Sequence, residues 1–218
     1  MNNIKSVLLT AVVFLGLTSA LSAASLNGVY LELGSSAIGV EAAGSSNDAE
    51  SQTTTGALGK TAITASYGLG YMFNKSGKVG LDVGYLWTPG NASFKHTSTS
   101  ATKTSVSLEI DDMEEYYIAP MVNITEDASV YLKFGYNSTD LTTIGDVNKI
   151  SSMDGETIAV GTVMSWGSNL YIRSEAGQTE YDTLNFTGLG TAGGTATTET
   201  VTATPKLSYG KIAIGYKF

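Results

Sequence analysis

At 218 residues, 42% of them hydrophobic and only 15% charged, the chain has the apolar complement for one folded domain and is excluded from the disordered class. A net charge of −8 argues against nucleic acid as a partner, because phosphates demand a basic surface. The absence of cysteine excludes disulfide frameworks, thiolate metal sites and catalytic thiols.

The chain opens with a polar stretch bearing Lys5, an apolar run from Val7 to Leu17, and the small-residue segment Ser19-Ala20-Leu21-Ser22-Ala23. That order is the signature of a secretory signal peptide with an Ala-x-Ala-like cleavage site. The apolar run is too short to cross a bilayer, which takes roughly 20 residues. A cleaved signal peptide over residues 1–23 is therefore expected, leaving one domain at 24–218. Loss of Lys5 would leave 11 basic and 20 acidic residues, a net charge of −9. Beyond Ala24 nothing approaches helix-spanning length. A membrane-resident mature chain must then be a closed barrel, since lipid satisfies no backbone polar groups.

From Gly28 onward the hydrophobic period is two, the period of a strand. The first segment sets Val29, Leu31 and Leu33 against Tyr30 and Glu32. The second sets Ile63, Ala65, Tyr67, Leu69, Tyr71 and Phe73 against Ala62, Thr64, Ser66, Gly68 and Gly70. In the third, Val79, Leu81, Val83, Tyr85 and Trp87 oppose Gly80, Asp82 and Gly84. The fourth opposes Tyr116, Ile118, Pro120, Val122 and Ile124 to Tyr117, Ala119, Met121 and Asn123. The fifth sets Val130, Leu132, Phe134 and Tyr136 against Tyr131, Lys133 and Gly135. In the sixth, Ile158, Val160, Met164 and Trp166 oppose Thr157, Ala159, Gly161 and Ser165. The seventh sets Leu170 and Ile172 against Tyr171, Arg173 and Glu175. The last sets Ile212, Ile214, Tyr216 and Phe218 against Lys211, Ala213, Gly215 and Lys217. Pro120 cannot donate to a ladder, so a bulge or a lost rung is expected there. The outward run Ser174, Ala176, Gln178 is weakly apolar, which suggests a register-shifting bulge in the seventh strand.

A soluble β-sandwich shares this period, and connection length separates the two. Links are long near Ala42–Leu58, short at Asn74–Gly77, long near Gly90–Val106 and short at Thr125–Ala128. They are then long near Ser138–Asp154, short at Gly167–Asn169 and long near Thr183–Pro205. Strict long–short alternation predicts an all-β fold, an eight-stranded antiparallel up-and-down transmembrane barrel with solvated external loops and both termini periplasmic. Outward aromatics fall at strand ends, with Tyr71, Phe73, Trp166, Tyr216 and Phe218 at the periplasmic side and Tyr85, Trp87 and Tyr116 at the other. Such girdles mark the two membrane–water boundaries. Eight strands enclose a lumen just wide enough to be filled by side chains. Its expected mid-height charges are Glu32, Asp82 and Glu175 against Lys133, Arg173 and Lys211, a neutral set suited to plugging the barrel, with Glu115 and Lys217 near the rims. A charge-selective pore would carry a ring of one sign.

The ending SYGKIAIGYKF, with Ile212, Ile214, Tyr216 and Phe218 alternating, looks like the terminal strand signal read by the outer-membrane assembly machinery. With the export signal and the alternation, the chain resembles the small outer-membrane β-barrel superfamily of OmpX, opacity-protein and OmpA-barrel types. SNLYIRSEAGQTEY is similar to that superfamily's seventh strand, with its inward Arg and Glu. The resemblance implies a Gram-negative outer-membrane location, with membrane lipid and lipopolysaccharide as surroundings, secretion and barrel-assembly machinery as biogenesis partners, no cofactor and a monomeric state. It leads to a structural, surface-exposed barrel with acidic external loops. The alternative is a narrow channel for small or apolar solutes, as in OmpW-type barrels. His96, with Ser98 and the acids Glu109, Asp111 and Asp112, is similar to the His/Ser/Glu site of lipid A deacylases, but loop spacing fixes no catalytic geometry, and no enzyme is expected. The acidic run Asp111–Glu115 lacks the Gly-punctuated spacing of a calcium loop, and no metal site is expected.

Overall fold

The computed structural model describes residues 26–47, 53–74, 78–90, 92–97, 105–144, 148–192 and 195–218. The expected signal peptide lies outside the described residues. Ten strands are present among the described residues: β1 (Gly28–Asn47), β2 (Thr53–Phe73), β3 (Val79–Thr88), β4 (Ala92–Thr97), β5 (Ser105–Asn123), β6 (Ala128–Ile144), β7 (Ser152–Trp166), β8 (Leu170–Tyr181), β9 (Leu184–Ala192) and β10 (Thr195–Lys217). Antiparallel pairing runs β1-β2-β3-β5-β6-β7-β8-β10, and β1 returns to pair with β10 from Tyr30↔Lys217 to Asn47↔Thr200. β4 prolongs β3 along β5, and β9 prolongs β8 along β10, so the ten segments make eight staves of one closed antiparallel barrel. Closure pairs the backbone groups that lipid would leave unsatisfied. No described helix is long and apolar enough to cross a membrane.

Both interruptions have a chemical cause. Pro89 has no N–H to donate and Gly90 takes a φ of +129°, so the third stave breaks between β3 and β4. β2 pairs with β3 only from Phe73↔Leu81 to Tyr67↔Trp87, and above that rung its described pairing is with β1 alone. Ladder pairing between β10 and β8 stops at Lys206↔Glu180 and resumes with β9 at Ala203↔Leu184, with Pro205, which has no N–H to donate and pairs with Ala42 on its other side, opposite the gap.

One sequence expectation is met and two need correction. Of the bulge or lost rung expected at Pro120, the lost rung is found: the β5–β6 register is the same on either side of it, at Ile118↔Phe134 and Met121↔Tyr131, and only the rungs between are lost. The irregularity in β5 lies between Ile110 and Met113. The seventh stave is not shifted either, since β8 keeps one register with β7 and with β10 along its whole length. Finally, the four long links are largely strand rather than solvated loop. The ladders climb well past the membrane zone, with β1 and β2 paired up to Asn47↔Thr53 and β10 and β9 up to Thr195↔Ala192.

The polarity of the wall inverts with height. In the lower part apolar side chains face outward: Val29, Leu31 and Leu33 are 44, 50 and 58% exposed, whereas the intervening Tyr30 and Glu32 are 0 and 5% exposed. That is the order demanded by lipid outside and a filled lumen within. Higher up, the inward positions become apolar and form a buried cluster that includes Ile38, Val40, Ile110, Leu141, Phe186 and Leu207. The outward positions there are Glu41, Asp112, Asp140, Glu156, Glu180 and Asp182. The upper part is thus built as a water-soluble β-barrel with its own apolar core. Hydrophobic burial, at roughly 25 cal/mol per Å², supplies the driving force that lipid cannot.

Lumen packing also explains several glycines. At Gly215 and Gly161 an added Cβ would overlap the rings of Tyr171 and Tyr131. Gly215→Ala should therefore destabilise the barrel by about 1–3 kcal/mol through overpacking. Urea titration of the vesicle-embedded protein measures this, and a change below about 0.5 kcal/mol, the range of neutral surface changes, would show that the socket is not tight.

Candidate functional site

The inward side chains of the lower barrel converge on a layer of charge. Strand parity delivers them: Glu32 from β1, Asp82 from β3, Glu115 from β5, Lys133 from β6, Arg173 and Glu175 from β8, and Lys211 from β10. Lys133 Nζ lies 2.7 Å from Glu115 Oε1 and 2.6 Å from Glu175 Oε1. Arg173 spans two acids, with Nη2 2.7 Å from Asp82 Oδ2 and Nε 2.7 Å from Glu32 Oε2. The first is an aligned hydrogen bond, while the second is an ion pair without hydrogen-bond alignment. Lys211 Nζ lies 3.0 Å from Glu32 Oε1 and 4.0 Å from Glu175 Oε1. Arg173, Lys133 and Asp82 are each 0% exposed.

Glu115 differs from its expected rim position. It is buried and bonded to Lys133, which turns the expected balance of three against three into four carboxylates and three cations. Tyrosine hydroxyls supply the remaining donors. Tyr30 donates to Asp82 at 2.9 Å, Tyr131 to Glu175 at 2.6 Å, Tyr209 to Glu175 at 2.7 Å and Tyr171 to Glu32 at 3.1 Å. The Arg173 guanidinium also lies over the Tyr30 and Tyr131 rings at 5.4 and 5.2 Å. Such neutral donors help an anionic excess stay buried by giving Asp82, Glu32 and Glu175 partners beyond the cations, whereas Glu115 is held by its ion pair with Lys133 alone. The tyrosine shell was not singled out by sequence. Its signal is parity, since Tyr30, Tyr117, Tyr131 and Tyr171 share the inward face with the charges.

Below this layer the lumen narrows onto Leu26, Met72 and Met121, all buried. At the short-turn rim the side-chain amides of Asn74 and Asn123 donate reciprocally at 2.9 and 2.8 Å, and Ser129 donates to Asn123 at 2.6 Å. Above the layer stands the apolar cluster of the upper barrel. A recess of about 860 Å³ lies on the outer wall between β2 and β7, against Leu69, Tyr85, Tyr116 and Phe134, and not in the lumen.

The remaining candidate residues fall as follows. Tyr71 and Phe73 pack together with ring centroids 4.4 Å apart, and Tyr216 and Phe218 with centroids 5.1 Å apart, at the short-turn end with Trp166 exposed beside them. Tyr85 packs on Tyr116 at 5.0 Å and Trp87 stacks on Tyr67 at 5.6 Å, nearer the other end. In the last strand Ile212, Ile214, Tyr216 and Phe218 are all outward and exposed, and the Phe218 N–H donates to the Val29 carbonyl at 2.9 Å. The acidic run is divided by the fold: Glu115 points inward and Glu114 outward, while Asp111 accepts from Thr142 and Asp112 from the Gly90 N–H. Among the described residues no three His, Asp or Glu side chains are grouped to hold a metal ion. His96 lies on β4, paired with Val106, and its side chain is outside the described residues.

The deciding observation is the agreement of this closed wall with a family pattern: residues 7–209 match the family Outer membrane protein beta-barrel domain. The chain is an outer-membrane β-barrel protein. No curated protein matches it by sequence. Solved structures share its fold at low identity. The outer-membrane protein AlkL, determined by solid-state NMR in lipid bilayers, is 14% identical with a TM-score of 0.50, covering 93% of this chain and 96% of its own. OprG from Pseudomonas aeruginosa is 13% identical with a TM-score of 0.49 over 89% and 98% of the two chains. The outer-membrane protease OmpT from Escherichia coli is 8% identical with a TM-score of 0.48 over 92% and 99%. Identities this low speak for the fold alone, so what this outer-membrane β-barrel protein does has to be argued from its own residues.

Proposed function

We propose that this protein is a non-catalytic, surface-exposed barrel whose lumen is closed to solutes and whose tall strand extensions present an acidic recognition face to the medium. The observation that carries this reading is the fully buried ion-pair layer around Arg173, Lys133 and Asp82, which supports a lumen filled by side chains. A pore selective by charge would instead line a wet constriction with groups of one sign. The apolar core of the upper barrel supports the second half of the reading. It holds the extensions as a rigid platform, the kind of scaffold on which exposed tips carry recognition. In this reading residues 1–23 are the export signal, both termini are periplasmic, and Ile212, Ile214, Tyr216 and Phe218 serve assembly. Purified protein in planar bilayers should show no stepwise conductance, and regular steps from the wild type would overturn the closed lumen.

A second reading, passage of small apolar solutes, is favoured by one feature. The apolar cluster with Ile38, Val40 and Ile110 borders the region where β2 and the third stave are unpaired among the described residues. Uptake of a fluorescent alkane analogue into vesicles, faster with the protein than without it, would favour this route.

A further inference from the structure

One stretch of the outward wall leaves acid without a cation. A single rung runs through Leu69, Tyr85, Tyr116, Tyr136 and Glu156, from β2 to β7. It continues through Glu180, Lys206 and Glu41 on β8, β10 and β1. There the chain supplies its own counter-charge, with Lys206 Nζ 2.6 Å from Glu180 Oε1. The next rung up on the β3–β7 side reads Trp87, Glu114, Ser138 and Asp154. Among the described residues none of Glu114, Asp154 and Glu156 is in an ion pair. One rung below Tyr116 and Tyr136 stand the exposed side chains of Ile118 and Phe134. The acids thus lie at the edge of the lipid zone, where a low dielectric strengthens their field.

The arrangement selects an organic ammonium over a metal ion. Ser138 is the small residue between Glu114 and Asp154, so the two acids flank a notch two strand spacings wide, roughly 9–10 Å. Carboxylates that hold a metal ion converge on it at about 2.0–2.6 Å, and among the described residues no three acids are so grouped. Beneath the notch the wall is aromatic. Tyr85 and Tyr116 pack with ring centroids 5.0 Å apart. The hydroxyls of Tyr85 and Tyr136 hydrogen-bond the carboxylates of Glu114 and Asp154. An ammonium is drawn to aromatic rings and to carboxylates alike. Lower on the same wall the recess of about 860 Å³ offers apolar room beside Leu69, Ile118 and Phe134. A boundary girdle asks only for amphipathic rings, whereas unneutralised acids, rings and recess in sequence match a cationic headgroup with its chain.

We propose that this face binds a membrane lipid whose headgroup ends in an ammonium. The ammonium sits over Ser138 between Glu114 and Asp154, and the exposed Tyr116 hydroxyl donates to the headgroup phosphate. An acyl chain lies in the recess below. A free amine would leave that recess unfilled, so the occupant is a lipid. The site belongs to the outer wall and is independent of the closed lumen.

The chain's two tryptophans serve as reporters, Trp87 beside Glu114 and Trp166 toward the other rim. Trp166→Phe and, separately, Trp87→Phe would be refolded into phosphatidylglycerol vesicles in high salt, which screens general repulsion. The vesicles would be doped with phosphatidylethanolamine or phosphatidylglycerol carrying brominated chains, which quench tryptophan on contact. At Trp87 the ethanolamine lipid should quench at least about threefold more effectively, while at Trp166 the two lipids should quench alike. Glu114→Gln with Asp154→Asn should abolish the preference at Trp87. So should Ser138→Leu, which fills the notch and leaves every charge in place. Each variant is read in protein with the heat-modifiable mobility of a folded barrel, and either one that folds decides the matter. Equal quenching by the two lipids at Trp87, the same preference at both tryptophans, or a preference that survives in a folded variant overturns the proposal. So does added magnesium that makes phosphatidylglycerol the better quencher at Trp87, because the acids would then bridge to phosphate through a metal.

Discussion

Arg173→Met should cost the barrel about 3–5 kcal/mol, the penalty for stripping one partner from a buried ion pair. The guanidinium is the shared counter-charge of Glu32 and Asp82, which come from staves far apart in sequence, and it is fully buried. Without it two carboxylates remain in a closed lumen that already holds one acid more than it has cations. The loss should appear as a lower urea midpoint in vesicles with an unchanged slope. It should be relieved in part by adding Asp82→Asn and Glu32→Gln, because the removal of a complete charge set is far milder than the removal of one side. A cost below about 1 kcal/mol, the range of exposed pairs, would mean that water reaches the layer, and the closed-lumen reading would then fail. The same variant is informative in planar bilayers, where hydration of the stranded acids is expected to produce current steps absent from the wild type.

Leu132→Arg on β6 is expected to cost about 2–4 kcal/mol, the range for a cation on the lipid face near the bilayer midplane. Leu132 is outward and 42% exposed, four residues above the short turn before Ala128. Asp140→Arg, on the same strand and the same face but above the point where the wall's polarity inverts, should change stability by less than about 0.5 kcal/mol. Together the two measurements locate the membrane boundary on β6, since only height distinguishes the sites. Equal costs at both would show that Asp140 also lies in lipid, and the upper barrel would then not be the water-exposed platform described above.

The charged layer illustrates how much of the site could be read in one dimension. Parity alone places Lys133, Arg173, Glu175 and Lys211 on the inner face, because a strand's side chains alternate without exception until a bulge intervenes. Parity says nothing about height. Glu115 reads as a rim residue when counted from the long-link end of its strand. The fold extends that strand upward to Ser105, so the same residue ends in the middle of the lumen beside Lys133. The tyrosine shell was visible in the same alternation but not as hydrogen-bond donors, since only closure brings Tyr171 to Glu32 across 139 residues of sequence.

The links show the opposite limit. Segments rich in Gly, Ser and Thr such as Ala42–Leu58 carry the composition of loops, yet their described parts are ladder, paired from Ala42↔Leu58 to Asn47↔Thr53. Their strand character comes from the neighbouring staves, as β1 goes on to pair with β10 up to Asn47↔Thr200. β-propensity is weak and contextual, so a partner strand overrides composition. By itself, then, the sequence determined the strand number, the closure and the division of the lower wall into a lipid face and an enclosed face, because period two and the spacing of turns are local properties. Tertiary structure alone decided which charges meet, where the wall turns from lipid-facing to water-facing, and which outward positions form one continuous patch. Those depend on the stagger between staves, a quantity carried by ladder register and by breaks at Pro89 and Pro205 and not by any single strand.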